Sequence, residues 1–362
     1  MFASWSQRRR LHEGTPLRAA GFEPEALLAE LNVIIPTHNR AEQLRTCLLG
    51  LGRQTQTFGD FDVTVVVDGS TDGTRELLAG LPTPFRLHAI YQVRSGQHVA
   101  RNRGVAAGSG RYCLFLDDDI DPCPGLIAVH LRLLRARSDA VGLGAMPMNV
   151  NPGADWFARC FAEQWNGHYA RLETGHRAPR WMDCYGGNLS LSRMAFEQVG
   201  GFAPDIPASH DIELGYRLQR QGLSFVYLPE AVGIHAERKT GRELRAVLER
   251  HGRAAVELSR RHPGALPTLL GKFWQPRRRV AVLRRLLLAL RVPPALLSGL
   301  GPTMGGLPRQ RQWSRFVAGY CFWYGVRLAI RDSDFWRRLT QVTPNSTSST
   351  PSVQSATPPV DS

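Results

Sequence analysis

Asp117-Asp118-Asp119 and Asp121 put four carboxylates into five positions directly after the apolar run Tyr112–Leu116, in a 362-residue chain whose formal net charge is +14. Clustered carboxylates repel one another and resist desolvation, so a fold that collects them at a strand end needs a compensating charge. A divalent cation would supply it. On an extended chain successive side chains alternate, so Asp117 and Asp119 are expected to point the same way and Asp118 away from the ion. Hard oxygen ligands of this kind suit Mn2+ or Mg2+, which keep open positions for substrate phosphates. A solvated acidic turn, with Asp121 before Pro122 as a turn residue, is the plainer reading of the same stretch.

A further carboxylate, Asp68, ends the run FDVTVVVD and precedes Gly69-Ser70. There it can accept hydrogen bonds from a ribose hydroxyl or a base N–H, or act locally as an N-cap or Asx-turn residue. His38-Asn39-Arg40 and the stretch RSGQHVARNR (Arg94–Arg103) would bring cations and amides to the same region, with Arg101 the least easily read as surface charge.

These groups need a frame. Leu31–Pro36, Phe61–Val67 and Tyr112–Leu116 read as buried strands, Leu87–Gln92 as a further strand, and Ala41–Leu51, Thr74–Leu81 and Gln97–Gly108 as the helices between them. Strand and helix alternating in units of about 30 residues imply an α/β fold, Rossmann-like, with a mostly parallel central sheet and helices on both faces. Ligands of such sheets bind beyond the carboxyl ends of the strands. Pro36-Thr37, Asp68-Gly69 and Asp117–Asp119 are therefore expected on one rim. Further along, Cys184–Ser192 reads as loop into strand, Arg193–Val199 and Ile212–Gln221 as helices, and Phe225–Leu228 and Val232–His235 as two short strands.

The basic character is local. His235–Thr340 holds 22 Lys and Arg against 6 Asp and Glu, a net of +16, which leaves −2 for the remainder. Only Lys239 and Lys272 among the 45 basic residues are lysines, so arginine number alone argues little. Val280–Arg291 and Trp313–Ile330 mix apolar, aromatic and Arg residues and fit either a membrane interface or helices packed on the rest with a basic outer face. A nucleic-acid-binding protein using this region is the competing class, and the arginines form no recognisable binding module.

Six cysteines without metal-like or paired spacing point to a reducing, cytoplasmic compartment. The N-terminus lacks a continuous apolar signal region, and the longest apolar candidate, Val280–Leu300, is broken by Arg284, Arg285, Arg291 and Pro293-Pro294. A soluble chain, or one peripheral on the inner face of the cytoplasmic membrane, is expected.

The series VIIPTHNR, VVVDGSTDGT, GQHVARNRGV, FLDDDI, GGNLSLSR, GGF and HDIELGYRLQRQG resembles the inverting family 2 glycosyltransferases of the GT-A fold, over about Asn32–His235 and in the expected order. The resemblance implies that Pro36 and Thr37 lie against the nucleotide base and that Asp68 binds it. Asp117 and Asp119 are similar to the D-x-D element that holds the ribose and the metal-bridged diphosphate. Gly187 and Asn188 resemble the loop beside donor sugar and acceptor. Asp211 matches the general base, and His235 resembles a histidine that completes the metal site with Asp119. Asn39, Arg40, Arg101, Asp118 and His210 are read as further substrate-binding residues, and Glu213 as an orienting one.

The pattern departs at Val67, where many relatives carry a second acid, and at His210 before the base. The Gln-x-x-Arg-Trp signature of processive synthases is missing. The implied activity is single transfer from a nucleotide-diphosphate sugar, a UDP-sugar first, to a saccharide or polyprenyl-linked acceptor in envelope glycan synthesis, or to polyprenyl phosphate. The expected division is an N-terminal extension (1–30), a catalytic domain (31–238, with a nucleotide half 31–121 and an acceptor half 122–238), a basic helical region (239–340) and a disordered tail (341–362).

Overall fold

The computed structural model describes residues 29–54, 61–150, 153–206, 208–270 and 278–330. The tail at 341–362 and nearly all of the extension at 1–30 lie outside these residues.

Four strands run parallel: β1 (Leu31–Thr37), β2 (Phe61–Asp68), β3 (Arg86–Gln92) and β4 (Tyr112–Leu116), in spatial order β3-β2-β1-β4. Every residue of β1 and β4 is buried, because helices cover both faces of the sheet here and leave no polar face to alternate with. The crossovers contain α1 (Ala41–Gly52), α2 (Thr74–Gly80) and α3 (Gln97–Ala107). Gly104 of α3 meets β1 and β2 so closely that a Cβ there would lie 2.5 Å from Ile34 Cγ2.

The second half was less legible in the sequence. It runs through β5 (Ile120–Pro122), α4 (Leu126–Ala136), β6 (Ala140–Ala145), β7 (Met148–Val150), α5 (Trp156–Glu173), β8 (Asn188–Ser192), α6 (Arg193–Gln198), α7 (His210–Arg220) and β9 (Ser224–Glu237). Strand β8 runs antiparallel between β4 and β6, and β9 continues the sheet parallel to β6. Two expectations are corrected. Phe225–Leu228 and Val232–His235 belong to one 14-residue strand, whose register against β6 jumps from Leu228 to Val232 at an irregularity. Asp121 is not a turn residue: it sits in β5, opposite Ile234 of β9, and pairs with Arg53 at 2.7 Å.

The basic region is helical, as expected: α8 (Gly241–Arg261), α9 (Leu266–Leu270), α10 (Arg278–Ala289), α11 (Pro294–Gly299) and α12 (Leu307–Ala329). Thr240 and Glu243 form a reciprocal capping box at the start of α8. Leu244, Val256, Val317, Tyr320 and Val326 share an apolar core with Phe157 and Ala158 of α5. One helix of the α/β part thereby anchors the C-terminal helices. Glycines let α8 and α12 touch backbone to backbone: a Cβ on Gly252 would stand 1.9 Å from Phe322 O, and one on Gly325 would stand 2.0 Å from Glu249 O.

Candidate active site

Strands β1, β2 and β4 end on one rim, as the parallel topology requires. Above it lies an open cleft of about 340 Å³, lined among others by Pro36, Thr37, Asp68, Gly96, Gln97 and Asp118. Asp68 is buried and organises one wall. Its Oδ1 accepts from Gln92 Nε2 and Ser95 N, both at 2.7 Å, and its Oδ2 accepts from Gly96 N at 2.9 Å. Gly69 and Gly96 have φ of +72° and +98°, conformations open to glycine that bring the two loops together.

Asn39 does not face the cleft as a binding group. Its Oδ1 accepts from Thr71 N at 2.7 Å and its backbone N donates to Ser70 Oγ at 3.0 Å, which ties the loop after β1 to the loop after β2. Asn39 holds φ +52°, and Ser209, just before α7, holds φ +57°; strained non-glycine backbone of this kind concentrates at functional sites.

The acidic stretch does not follow strand alternation. Strand β4 stops at Leu116, so Asp117–Asp119 turn, and each carboxylate takes its own partners. Asp117 Oδ1 accepts from Gln97 Nε2 at 2.7 Å and from Arg101 Nη2 at 2.5 Å. Asp118, expected to point away, is 4% exposed and accepts from Thr37 Oγ1 at 2.8 Å and Arg40 Nη1 at 2.9 Å. The same Arg40 nitrogen donates to Asp119 Oδ2 at 2.9 Å, so Asp118 and Asp119 share a cation and Asp117 faces another. Burial pushes the Asp118 carboxyl up to about 6 against the opposing charge of Arg40. Asp119 is also desolvated, yet the hydrogen bond and charge of His235, with Arg40, bring it down to about 2.

Pairing of β5 with β9 sets Ile120 opposite His235, and Ala236 N donates to Asp119 O at 3.1 Å. This register carries His235 Nε2 to 3.5 Å from Asp119 Oδ2. No group of three or more His, Cys, Asp or Glu converges among the described residues. Two facing donors nonetheless fit an ion of the Mn2+ or Mg2+ type, which completes its shell with water and substrate phosphate.

Asp211 stands in the first turn of α7. Its Oδ1 accepts from Ile212 N at 2.9 Å and its Oδ2 from Gly186 N at 3.2 Å. The next residue back along the site, Gly187, accepts from Asp117 N at 3.3 Å through its carbonyl. The Gly186-Gly187 turn thus links the carboxylate at the head of α7 to those after β4. A Cβ on Gly186 would stand 2.8 Å from Arg101 Cζ, and one on Gly187 2.9 Å from Asp117 Oδ2, so both positions need glycine for space. Arg101, only 2% exposed, lies under this turn and over the Phe202 ring at 5.4 Å.

His210 lies against His98, ring centroids 4.8 Å apart, and edge-on to Phe202. Its Nδ1 is buried without a hydrogen-bond partner, and burial lowers the imidazole to about 4, so it is neutral. Asn188, expected beside the substrate, turns inward instead. Its Nδ2 donates to Ala145 O at 3.2 Å and Ala231 O at 2.9 Å, and its Oδ1 faces His130 Nε2 at 2.9 Å. As the first residue of β8 it stitches β6 to β9 beneath the site. Glu213 is likewise structural: it pairs bidentately with Arg217 and meets His262 Nε2 at 2.8 Å.

Sequence reasoning assigned no role to Gln97, Gly186 or His130. The first two lie inside the quoted GQHVARNRGV and GGNLSLSR stretches, Gln97 one helical turn before Arg101 and Gly186 next to Gly187. His130 had no signal, because its partners Asn188 and Ser190 are about sixty residues away.

The description "Glycosyl transferase family 2" matches residues 32–200, the part of the chain that carries the cleft, the acidic turn and the Gly186-Gly187 turn. The chain carries a family 2 glycosyltransferase domain. It is 31% identical over 275 residues to validoxylamine A glucosyltransferase of Streptomyces hygroscopicus subsp. jinggangensis, an alignment covering 67% of this chain and 63% of that protein. The chain therefore spans less than two thirds of that relative's length. A mannosyltransferase of Pyrobaculum calidifontis, solved with GDP-Man and Mn2+, superimposes with a TM-score of 0.54 at 20% identity, covering 84% of this chain and 85% of that one. S. aureus TarS 1-349, solved with UDP-GlcNAc, does so with a TM-score of 0.50 at 15% identity, covering 85% and 92%. At these identities the likeness is one of fold, and the fold of this family 2 domain is the GT-A type expected.

Proposed function

We propose that the protein is a metal-dependent inverting glycosyltransferase that moves one sugar from a nucleotide-diphosphate sugar to a hydroxyl of a saccharide or lipid-linked acceptor. Pro36, Thr37 and the Asp68 wall receive the nucleoside in the cleft. Asp119 and His235 would hold Mn2+ or Mg2+, which when bound supplies positive charge for the leaving diphosphate. Asp211 removes the acceptor hydroxyl proton as that oxygen bonds to the anomeric carbon; the bond to the diphosphate breaks with its electron pair leaving on the diphosphate. One base suffices for inversion. Gly186 N–H donates to Asp211 Oδ2 and orients it, while Oδ1 is held by the head of α7. Arg101 and Gln97 hydrogen-bond to Asp117 and hold it beside the Gly186-Gly187 turn.

The observation that carries this reading is that turn, through which Asp211 and Asp117 are hydrogen-bonded to adjacent glycines of one short segment. On this reading Asp211 serves the acceptor and Asp117 the donor, and the turn supports it by tying the two carboxylate-bearing residues to one short segment. A UDP-sugar is the first donor to test, with GDP- and dTDP-sugars next, and the acceptor belongs to envelope glycan synthesis.

The test is a panel of nucleotide sugars assayed for transfer or hydrolysis with Mn2+ or Mg2+. Asp211→Asn should retain donor binding while transfer falls by about 10²–10⁴. Asp119→Ala should abolish metal-dependent donor binding. A wild-type protein that binds and turns over no donor sinks the proposal.

A further inference from the structure

Helix α10 wears its apolar residues on the outside. Ala281, Arg284 and Leu288 are buried against the helical core, whereas Val282, Leu283, Leu286 and Leu290 are exposed, with Val282 at 62%, Leu286 at 55% and Leu290 at 66%. At 100° per residue the buried set and the exposed set lie on opposite sides of the helix. Leu296 and Leu300, in and just after α11, are exposed as well. Scattered exposed leucines need no explanation, but a run of them along one helix and its successor does.

The stretch of sequence that carries the ridge is charged with one sign. Between Glu257 and Asp332 the sequence contains no acidic residue and fourteen Arg and Lys. Arg285 and Arg291 are exposed beside the ridge, and Arg309 follows at the head of α12. No helix among the described residues is long and apolar enough to cross a membrane.

We propose that the outward face of α10 and α11 docks this protein on an anionic lipid bilayer surface, with the leucines entering the boundary between head groups and acyl chains and the arginines meeting lipid phosphates. The combination selects the partner. A nucleic acid would use the arginines and leave the leucines in water, since phosphate contacts dominate that affinity. A second copy of the chain would set one basic face against another. A bilayer with anionic head groups takes both the apolar ridge and the positive rim.

The experiment is sedimentation of the full chain with vesicles of phosphatidylcholine, alone or mixed with phosphatidylglycerol; it needs no sugar donor, so its outcome is independent of the transferase reading. Wild type should bind the mixed vesicles at least about tenfold more tightly than the neutral ones. Leu286→Glu combined with Leu290→Glu should weaken that binding about tenfold or more, with thermal midpoint and mass by light scattering unchanged. Met194→Glu, a control at an exposed apolar side chain on α6, should bind as wild type does. Arg285→Glu should reduce the preference for anionic over neutral vesicles, a second readout that spares the leucines. The proposal is overturned if wild type ignores anionic vesicles, or if the double substitution binds them unchanged. It is equally overturned if wild type is a dimer that the double substitution splits and that never binds vesicles.

Discussion

Arg40 Nη1 lies 2.9 Å from Asp119 Oδ2 and equally 2.9 Å from Asp118 Oδ1, so one guanidinium nitrogen joins two adjacent carboxylates. Arg40 holds the charge of the acidic turn that a cation at Asp119 and His235 would share. Arg40→Gln should leave the buried Asp118 with Thr37 alone and lower unfolding free energy by about 1–3 kcal/mol in urea titrations. It should also tighten Mn2+ binding several-fold by calorimetry, because a positive charge beside Asp119 has gone. Unchanged metal affinity would place the ion elsewhere.

Gly186→Ala sets a methyl group 2.8 Å from Arg101 Cζ. Arg101 is buried and bound to Asp117, so it has little room to yield. The substitution should destabilise the fold by about 1–3 kcal/mol, as overpacking does. Because it also moves the N–H that orients Asp211, transfer should fall more than donor affinity, read as a kcat loss with KM for the donor nearly unchanged.

Gly252→Ala tests the joint between α8 and α12. Its methyl group would stand 1.9 Å from Phe322 O, against backbone that no rotamer change can move. The helices must separate, and thermal unfolding should show a loss of about 3 kcal/mol. An alanine tolerated at wild-type stability would mean that the two helices do not pack as closely as this.

Burial lowers His130 to about 4, with Asn188 opposing, from an ordinary value of 6.5. The unfolded chain therefore binds a proton near pH 6.5 that the folded chain refuses until about pH 4. Stability should be full above that window and fall as pH drops through it, by at most about 1.4 kcal/mol per pH unit for one histidine. His168 and His210, also lowered to about 4 by burial, act in the same direction. His130→Gln should be less stable at pH 7.5 and show a shallower decline between pH 6.5 and 5 in thermal melts.

The positions of Thr37, Asp68 and Asp117 on one rim were legible in the sequence. Apolar runs mark buried parallel strands, and the residue type changes where each run leaves the sheet. Helices α1, α2, α3 and α7 followed from spacing for the same reason: periodicity and end signals are local. Strands β5, β6 and β7 escaped notice because short or Gly-containing runs carry no decisive period. Helices α4 and α5 did carry one, with Leu126, Ile127, Leu131 and Leu134 on one face of α4 and Asp155 capping α5, and were legible in principle.

Side-chain direction beyond the strand ends was decided only by tertiary structure. Alternation predicts Asp117 with Asp119, but past Leu116 the chain turns and partners far away in sequence take over: Arg40 for Asp118 and Asp119, Arg101 for Asp117. Asn188 looked like a binding residue and became a buried stitch, because Ala145, Ala231 and His130 satisfy its amide inside the sheet. A buried polar group goes where its hydrogen bonds can all be made, and those partners are known only once the chain has folded.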